Sequence, residues 1–497
     1  MDPAPATPGN AHLLLEALTD ATAELQAARQ RILQLEQEVA DLRKQVTGPA
    51  AKLDQPYSLK AEEQRQQARG RHKKPKDTKK QRRGRRKGEE KLRQAKKVED
   101  VYPEGVPPGQ CRLAHTRAVW RLLGGRAVLV AYRVFRGPQK RYGVIPGVLG
   151  RSEYGLEIVV ELAFLAHQVG LSFDKLCLTV GFLQDLKLGK SQVEALLRQL
   201  AQAWGEEFEV LCTLLANSLV VHTDETRWSL NSAWAFLSEK ARVVFLGVHK
   251  DAATLKEILD PATFAGTVFS DDAAVYAGFS SAQKCWAHLL RKAIKLALQA
   301  PGHAGYRAFA DELLGIYHDA RRAQRDGRLG ASGRDRREKG LLRRLVALCG
   351  PVRREQAGAA GLNHDWWLLA EELVRLAAAD ELFTFLNCRS AAQPNGAQPA
   401  LDGTNNASER KLRGEAQARA AGRTSKTVSG ARRSTVVGSV LESLRLYLPA
   451  YTLGGVIAEV RRWQEAGRSC FRELLGRLGL ALPGHSVLER VLPQPSG

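Results

Sequence analysis

The chain has 497 residues, 44% hydrophobic and 26% charged, a balance that suits soluble folded domains and argues against a wholly disordered chain. It carries no uncharged apolar run of 18 or more residues and no leader-like N-terminal pattern, so neither membrane insertion nor secretion is expected. The net charge is +22, and +14 of it lies between Arg65 and Lys97, which excludes an even spread of basic residues over the surface.

Residues 11–47 carry a heptad series: Leu18, Ala21, Leu25, Ala28, Ile32, Leu35, Val39, Leu42 and Val46. With Leu18 at position a, the pairs Glu24 with Arg29, Arg31 with Glu36 and Glu38 with Arg43 are opposite in sign across g and the following e. Two parallel copies need that pattern, and Ile32, Val39 and Val46 at a with Leu35 and Leu42 at d favour a dimer. A homodimeric coiled coil is therefore expected. Residues 58–99 hold the charge run and have little to bury, so a disordered arm that grips duplex phosphates is expected. Its DNA-contacting candidates are Lys73, Lys74, Lys79, Lys80, Arg82, Arg83, Arg85, Arg86 and Lys87.

Residues 100–150 read as a small strand-containing module, with Ala127 to Phe135 as its clearest strand. Residues 151–210 turn helical. Ser172 to Leu183 and Ser191 to Trp204 form two helices around a turn at Gly189, with Ser191 and Glu194 as a capping box. Such a pair makes either an αα-hairpin, the commoner form, or a helix-turn-helix that reads the major groove. The seven cysteines are scattered and never form a Cys-x-x-Cys pair, which argues for a reducing cytosol and against a cysteine-built zinc site.

From 215 to 289 strands take over. Leu219 to His222 runs into Thr223-Asp-Glu-Thr226, Trp234–Leu237 and Val243–Val248 suggest a hairpin, a helix follows, and Gly266–Ser270 runs into Asp271-Asp272. If the first and last of these strands are neighbours, Asp224 and Asp271 face one another, and two such acids need a cation between them to ionise together. Mg²⁺ suits carboxylates, water and phosphate oxygens, and a third carboxylate from a helix completes a two-ion site for phosphodiester displacement. Residues 290–400 read as an all-helical insertion, 401–450 as final core helices and 451–497 as a helical tail.

Five blocks carry a resemblance: His222 to Trp228, Val268 to Asp271, Gln283 to Lys292, Asp380 to Leu386, and Asn405 to Arg413. In this order they resemble the insertion-sequence-66 family of DDE transposases, over roughly residues 145–445. The resemblance implies an α/β fold: an RNase H-like mixed-sheet core with an all-helical insertion, behind the coiled coil and the basic arm. It implies Asp224, Asp271 and Glu409 as catalytic, metal-holding residues for two Mg²⁺ or Mn²⁺ ions. The Ser-Asp-x-x-x-x-Tyr pattern, with Tyr276, favours Asp271 over Asp272, and strand alternation leaves one of Asp224 and Glu225 on the metal side.

The activity implied is hydrolysis at transposon ends and strand transfer by the 3′-hydroxyl into target DNA, in the bacterial cytoplasm beside the nucleoid. The partners would be double-stranded DNA, a second copy and accessory transposition proteins. Alternatives from other classes are a catalytically silent DNA-binding derivative and an RNase H-like nuclease without joining. Arg410 and Arg413, with Lys411, Arg432 and Arg433, are candidates for phosphate contacts. Cys285 and His288 are expected to pack structurally, as is Trp286. Relatives commonly carry a cysteine-rich zinc module near the start; only Cys111 stands there, so no zinc is expected.

Overall fold

A computed structural model describes residues 88–388, 391–397 and 401–493, with a few positions between 30 and 38. Of the coiled coil expected over 11–47, Gln30, Arg31, Gln34, Leu35, Gln37 and Glu38 are described and are helical; the rest of it, and the arm through Lys87 with all nine of its named basic residues, lie outside the described residues. The last part of the expected arm is ordered. Gly88–Arg93 is a short helix (α1) and Lys97–Val101 a strand (β1). Two contacts explain this: Lys91 reaches Glu153 at 2.6 Å, and β1 pairs in parallel with β3.

Arg112–Leu123 (β2) and Arg126–Arg136 (β3) form a long hairpin. Its turn is Gly124-Gly125, with φ of +56° and +78°, the positive values that a tight hairpin turn demands. The three strands, in order β1-β3-β2, cover a small core of Val119, Val130, Tyr132, Val134 and Ile145. Arg121 fastens this module to Leu156–His167 (α2) through a buried ion pair, Nε to Glu157 Oε1 at 2.7 Å.

Phe173–Gln184 (α3) starts at the Ser172 cap, as its sequence suggests. Lys190–Ala203 (α4) has its capping box two residues earlier than expected: Gly189, not Ser191, is the cap, and the Gln192 side chain accepts from its N–H at 2.8 Å. Gly205–Ala216 (α5) leads into the main sheet.

That sheet contains Val220–Trp228 (β4), Asn231–Ser238 (β5), Arg242–Val248 (β6), Thr267–Ser270 (β7) and Ala282–Lys284 (β8), in spatial order β6-β5-β4-β7-β8. Strand β5 is antiparallel to both of its neighbours, β6 and β4, while β4, β7 and β8 are parallel. A helix, Ala252–Ile258 (α6), precedes β7. Side chains alternate between two buried faces, which is why the runs are so continuously apolar. Val221, Trp234, Phe236, Val243, Phe245 and Val268 face α2, α4 and α5; Val220, Ala233, Ala235, Val244, Leu246 and Phe269 face the opposite layer.

Four helices follow β8: Trp286–Gln299 (α7), Ala304–Arg325 (α8), Ala331–Glu355 (α9) and Leu362–Ala378 (α10). They bury Leu313, Leu345, Leu373 and their neighbours in a core that reaches the sheet at Val220 and Phe269. Next come Asn406–Ala420 (α11), Val428–Leu444 (α12), Leu453–Ala466 (α13), Cys470–Arg477 (α14) and Val487–Val491 (α15). No helix among the described residues is long and apolar enough to cross a membrane.

Both edges of the main sheet are covered. Along β6, the α12 hydroxyls of Thr435, Ser439 and Ser443 accept from the N–H groups of Leu246, Val244 and Arg242 at 2.9–3.0 Å. Four residues of helix rise about 6.0 Å and two of strand about 6.8 Å, so the two ladders stay in step. At β8, Gln283 Nε2 donates to the Leu382 carbonyl at 2.8 Å and Thr384 Oγ1 to the Ala282 carbonyl at 2.7 Å. The Asp380–Leu386 block is thus a strap that satisfies the other open edge.

Candidate active site

Strands β4 and β7 place the two aspartates. Their parallel register pairs Val220 with Thr267, Val221 with Val268 and His222 with Phe269. Asp224 and Asp271 each lie two residues beyond the last pair, Asp224 still inside β4 and Asp271 just past the end of β7, and the charge of Asp271 is felt at Asp224. β4 does not end there; it stays paired with β5 as far as Trp228, where Asp224 stands opposite Ala235. The small Ala233 and Ala235 side chains leave room for α11, which lies across β4 and β5.

The start of α11 is pinned to β4. Buried Asn405 donates from Nδ2 to the Thr223 carbonyl at 2.7 Å, its N–H donates to Cys285 Sγ at 3.1 Å, and its Oδ1 accepts from Ser408 Oγ at 2.5 Å. Asn405 and Ser408 therefore fix the first turn, which brings Glu409 near enough for its charge to act on Asp224. Burial is the largest influence on Asp224, and its carboxyl is pushed up to about 7; the charges of Glu225, Asp271 and Glu409 push the same way. Asp224 Oδ1 accepts from the Glu225 N–H at 2.9 Å and Asp271 Oδ1 from the Ala273 N–H at 3.1 Å, which fixes both carboxylates.

The neighbouring acids have other partners. Glu225 points to the opposite face, where Lys250 and the Tyr276 hydroxyl hold it. Tyr276 in turn accepts from Trp234 Nε1 at 2.8 Å, which gives the tyrosine of the Ser-Asp-x-x-x-x-Tyr block a structural task. Asp272 is paired with Arg375 of α10.

Glu409 is drawn toward α7. Arg291 Nη2 donates to both of its oxygens, at 2.8 and 3.1 Å, and His288 Nδ1 stands 3.6 Å from Oε1. Among the described residues, one set of three metal-type side chains has all its donor atoms within 4.8 Å: Cys285, His288 and Glu409. Asp224, Asp271 and Glu409 do not form so tight a set. The charges of Asp271 and Glu409 nonetheless act on Asp224. Three carboxylates offer oxygen donors alone, the choice of hard divalent cations.

Of the basic candidates on α11, Arg410 and Arg413 are exposed, while Lys411 is held by Glu442 at 3.0 Å. Arg432 and Arg433 are not free for phosphate: they are internal struts, about 12% and 10% exposed, paired with Glu489 and Glu194. Trp286 is fully buried and stacks on Tyr317. Arg291 had no role in the sequence reading, although Cys285, His288 and Arg291 recur every third residue and so share one face of a helix. His222 packs on the Phe269 ring at 4.6 Å, and burial lowers its pKa to about 4, so it is neutral at physiological pH.

A mixed five-stranded sheet has Asp224 on β4, Asp271 just past the end of β7 and Glu409 on α11, and the charges of Asp271 and Glu409 both act on Asp224. The family model described as Transposase IS66 family matches residues 151–433, more than half of the chain. The chain belongs to this family of transposases, and a role in transposition follows. A comparison with curated proteins gives no match.

Proposed function

We propose that the chain is a DDE-type transposase with an RNase H-like core, which hydrolyses phosphodiesters at transposon ends and transfers the resulting 3′-hydroxyl into target DNA. The observation that supports this reading is the parallel pairing of β4 with β7, which ends two residues before Asp224 and Asp271, together with the charge influence of Asp271 and Glu409 on Asp224. These three carboxylates would hold two Mg²⁺ or Mn²⁺ ions. The chemistry supplied there by such a pair is activation of a water or 3′-hydroxyl for in-line attack and stabilisation of the leaving oxygen.

The chain's own residues orient the site. The backbone donors of Glu225 and Ala273 each take one oxygen of an aspartate and leave the other for ligands. Arg291 holds the Glu409 carboxylate on the α7 side, and Glu409 would turn away from it to meet the ions. Arg410 and Arg413 lie exposed on the same helix as Glu409 and are assigned to the DNA backbone. The proposed assembly is a homodimer on double-stranded DNA, with the basic run up to Lys87 adding non-sequence-specific grip.

The test uses end-labelled transposon-end DNA and a plasmid target. Asp224→Asn is expected to eliminate nicking and joining while duplex binding in a gel persists. Cleavage retained by the variant would remove Asp224 from the mechanism. Binding without nicking in the unaltered protein would favour the silent derivative, and nicking without joined product the nuclease.

A further inference from the structure

The donor set beside the acids is not the one Mg²⁺ prefers. Cys285 occupies the cap position of α7 and His288 lies one turn on, so both project from the same face, and Glu409 meets them from α11. Donor atoms of all three lie within 4.8 Å of one another. His288 Nδ1 is buried and has no hydrogen-bond partner, although Glu409 Oε1 is only 3.6 Å away. That separation is too long for a hydrogen bond. It is close to the roughly 3.3 Å between nitrogen and oxygen donors on a tetrahedral ion with bonds of about 2.0 Å. Thiolate, imidazole and carboxylate together form a borderline-soft set that selects Zn²⁺ over Mg²⁺, with one coordination position left for water.

We propose that Cys285, His288 and Glu409 form a Zn²⁺ site that competes with the catalytic ions for Glu409 and so acts as a brake on the enzyme. Binding needs three small adjustments. Burial holds the Cys285 thiol above its usual range, so the metal must displace its proton, and the Asn405 N–H kept by Sγ offsets part of that cost. His288 offers its unpartnered Nδ1. Arg291 releases one of the two Glu409 oxygens it now holds. The site is distinct from the cysteine-rich module of relatives, since it has a single cysteine and lies inside the catalytic core. Binding rests on the donor set alone, whereas the brake rests on the role proposed above for Glu409.

Cobalt reports on such a site without any catalytic assay. Titration of the full, reduced, metal-free chain with Co²⁺ is expected to give a thiolate-to-metal charge-transfer band that saturates at a single equivalent, is displaced by Zn²⁺ and is indifferent to Mg²⁺. Cys285→Ser, nearly isosteric and still able to accept from Asn405, is expected to abolish the band. His288→Gln, at a partly exposed helix position, is expected to weaken Co²⁺ binding by about tenfold or more. Absence of the band in the unaltered protein, or its survival in Cys285→Ser, would overturn the site.

A second arm measures Mg²⁺-dependent nicking with and without saturating Zn²⁺. The ratio should fall at least about tenfold for the unaltered chain and stay near unity for His288→Gln. Equal slowing of both would overturn the brake. If the unaltered chain never nicks DNA with Mg²⁺, the transposase reading fails while the cobalt spectrum still decides the site.

Discussion

Neutralising Asp224 should make the metal-free protein more stable, not less. In the folded chain its carboxyl titrates near 7, raised from 3.8 first by burial and then by neighbouring acids. Between those values the folded chain retains a proton that the unfolded chain has released. The stability contributed by this group is therefore greatest below about pH 4 and declines as pH rises toward 7. At about 1.4 kcal/mol per pH unit, the full decline is about 4 kcal/mol, an upper limit because solvent still reaches part of the site. The substitution Asp224→Asn keeps the shape of the side chain without its charge. Urea unfolding in EDTA, followed by tryptophan fluorescence, should show this variant ahead of the unaltered protein, with a gap about 2 kcal/mol wider at about pH 8 than at about pH 5. Added Mn²⁺ should raise the unaltered protein alone. A variant less stable than its parent at the higher pH, or a gap indifferent to pH, would refute the view that Asp224 is held against its own charge.

Other expectations follow from single contacts. Asn405→Ala removes the donor to the Thr223 carbonyl and should cost about 1–3 kcal/mol in denaturant unfolding; nicking should fall while duplex binding in a gel persists. Ser439→Ala leaves the Val244 N–H without its acceptor, at about 1–3 kcal/mol, and hydrogen exchange should accelerate along β6. Arg121→Met breaks the buried pair with Glu157 and should cost about 3–5 kcal/mol, much of it regained in the double variant with Glu157→Gln. An exchange rate unchanged at Val244, or a double variant no better than Arg121→Met, would count against those assignments.

Part of this architecture is legible in the sequence because its signals are local. The runs ahead of Asp224 and Asp271 are short, apolar and end at acids, and both become strands, β4 and β7. The hairpin of β5 and β6 announces itself through two apolar runs and a polar turn. The continuation of β4 through Thr223–Trp228 is not legible, since those polar residues become strand only by pairing with β5. The Ser/Thr-rich stretch around Arg432 looks like a place to meet phosphate. Its hydroxyls instead close the β6 edge, and Arg432 donates to the Leu488 and Leu492 carbonyls near the C-terminal helix α15, a packing that no local pattern encodes. The ordered end of the arm likewise depends on β3 and Glu153, contributed from further along the chain. At the site, the five motif blocks mix chemistry with scaffolding. Asp224, Asp271 and Glu409 carry the proposed reaction, while Tyr276, Asn405, Ser408 and the Asp380–Leu386 strap hold strands and helix in place. Arg291 stayed hidden because its partner is 118 residues away.

The central claim is that Asp224, Asp271 and Glu409 converge on paired divalent ions, and anomalous scattering tests it most directly. Crystals of the full chain with transposon-end DNA and Mn²⁺ should give two manganese peaks about 3.5–4 Å apart, with Asp224 and Asp271 as ligands and Glu409 turned away from Arg291 to meet them. Ordered DNA at the sheet with no manganese at those carboxylates would contradict it.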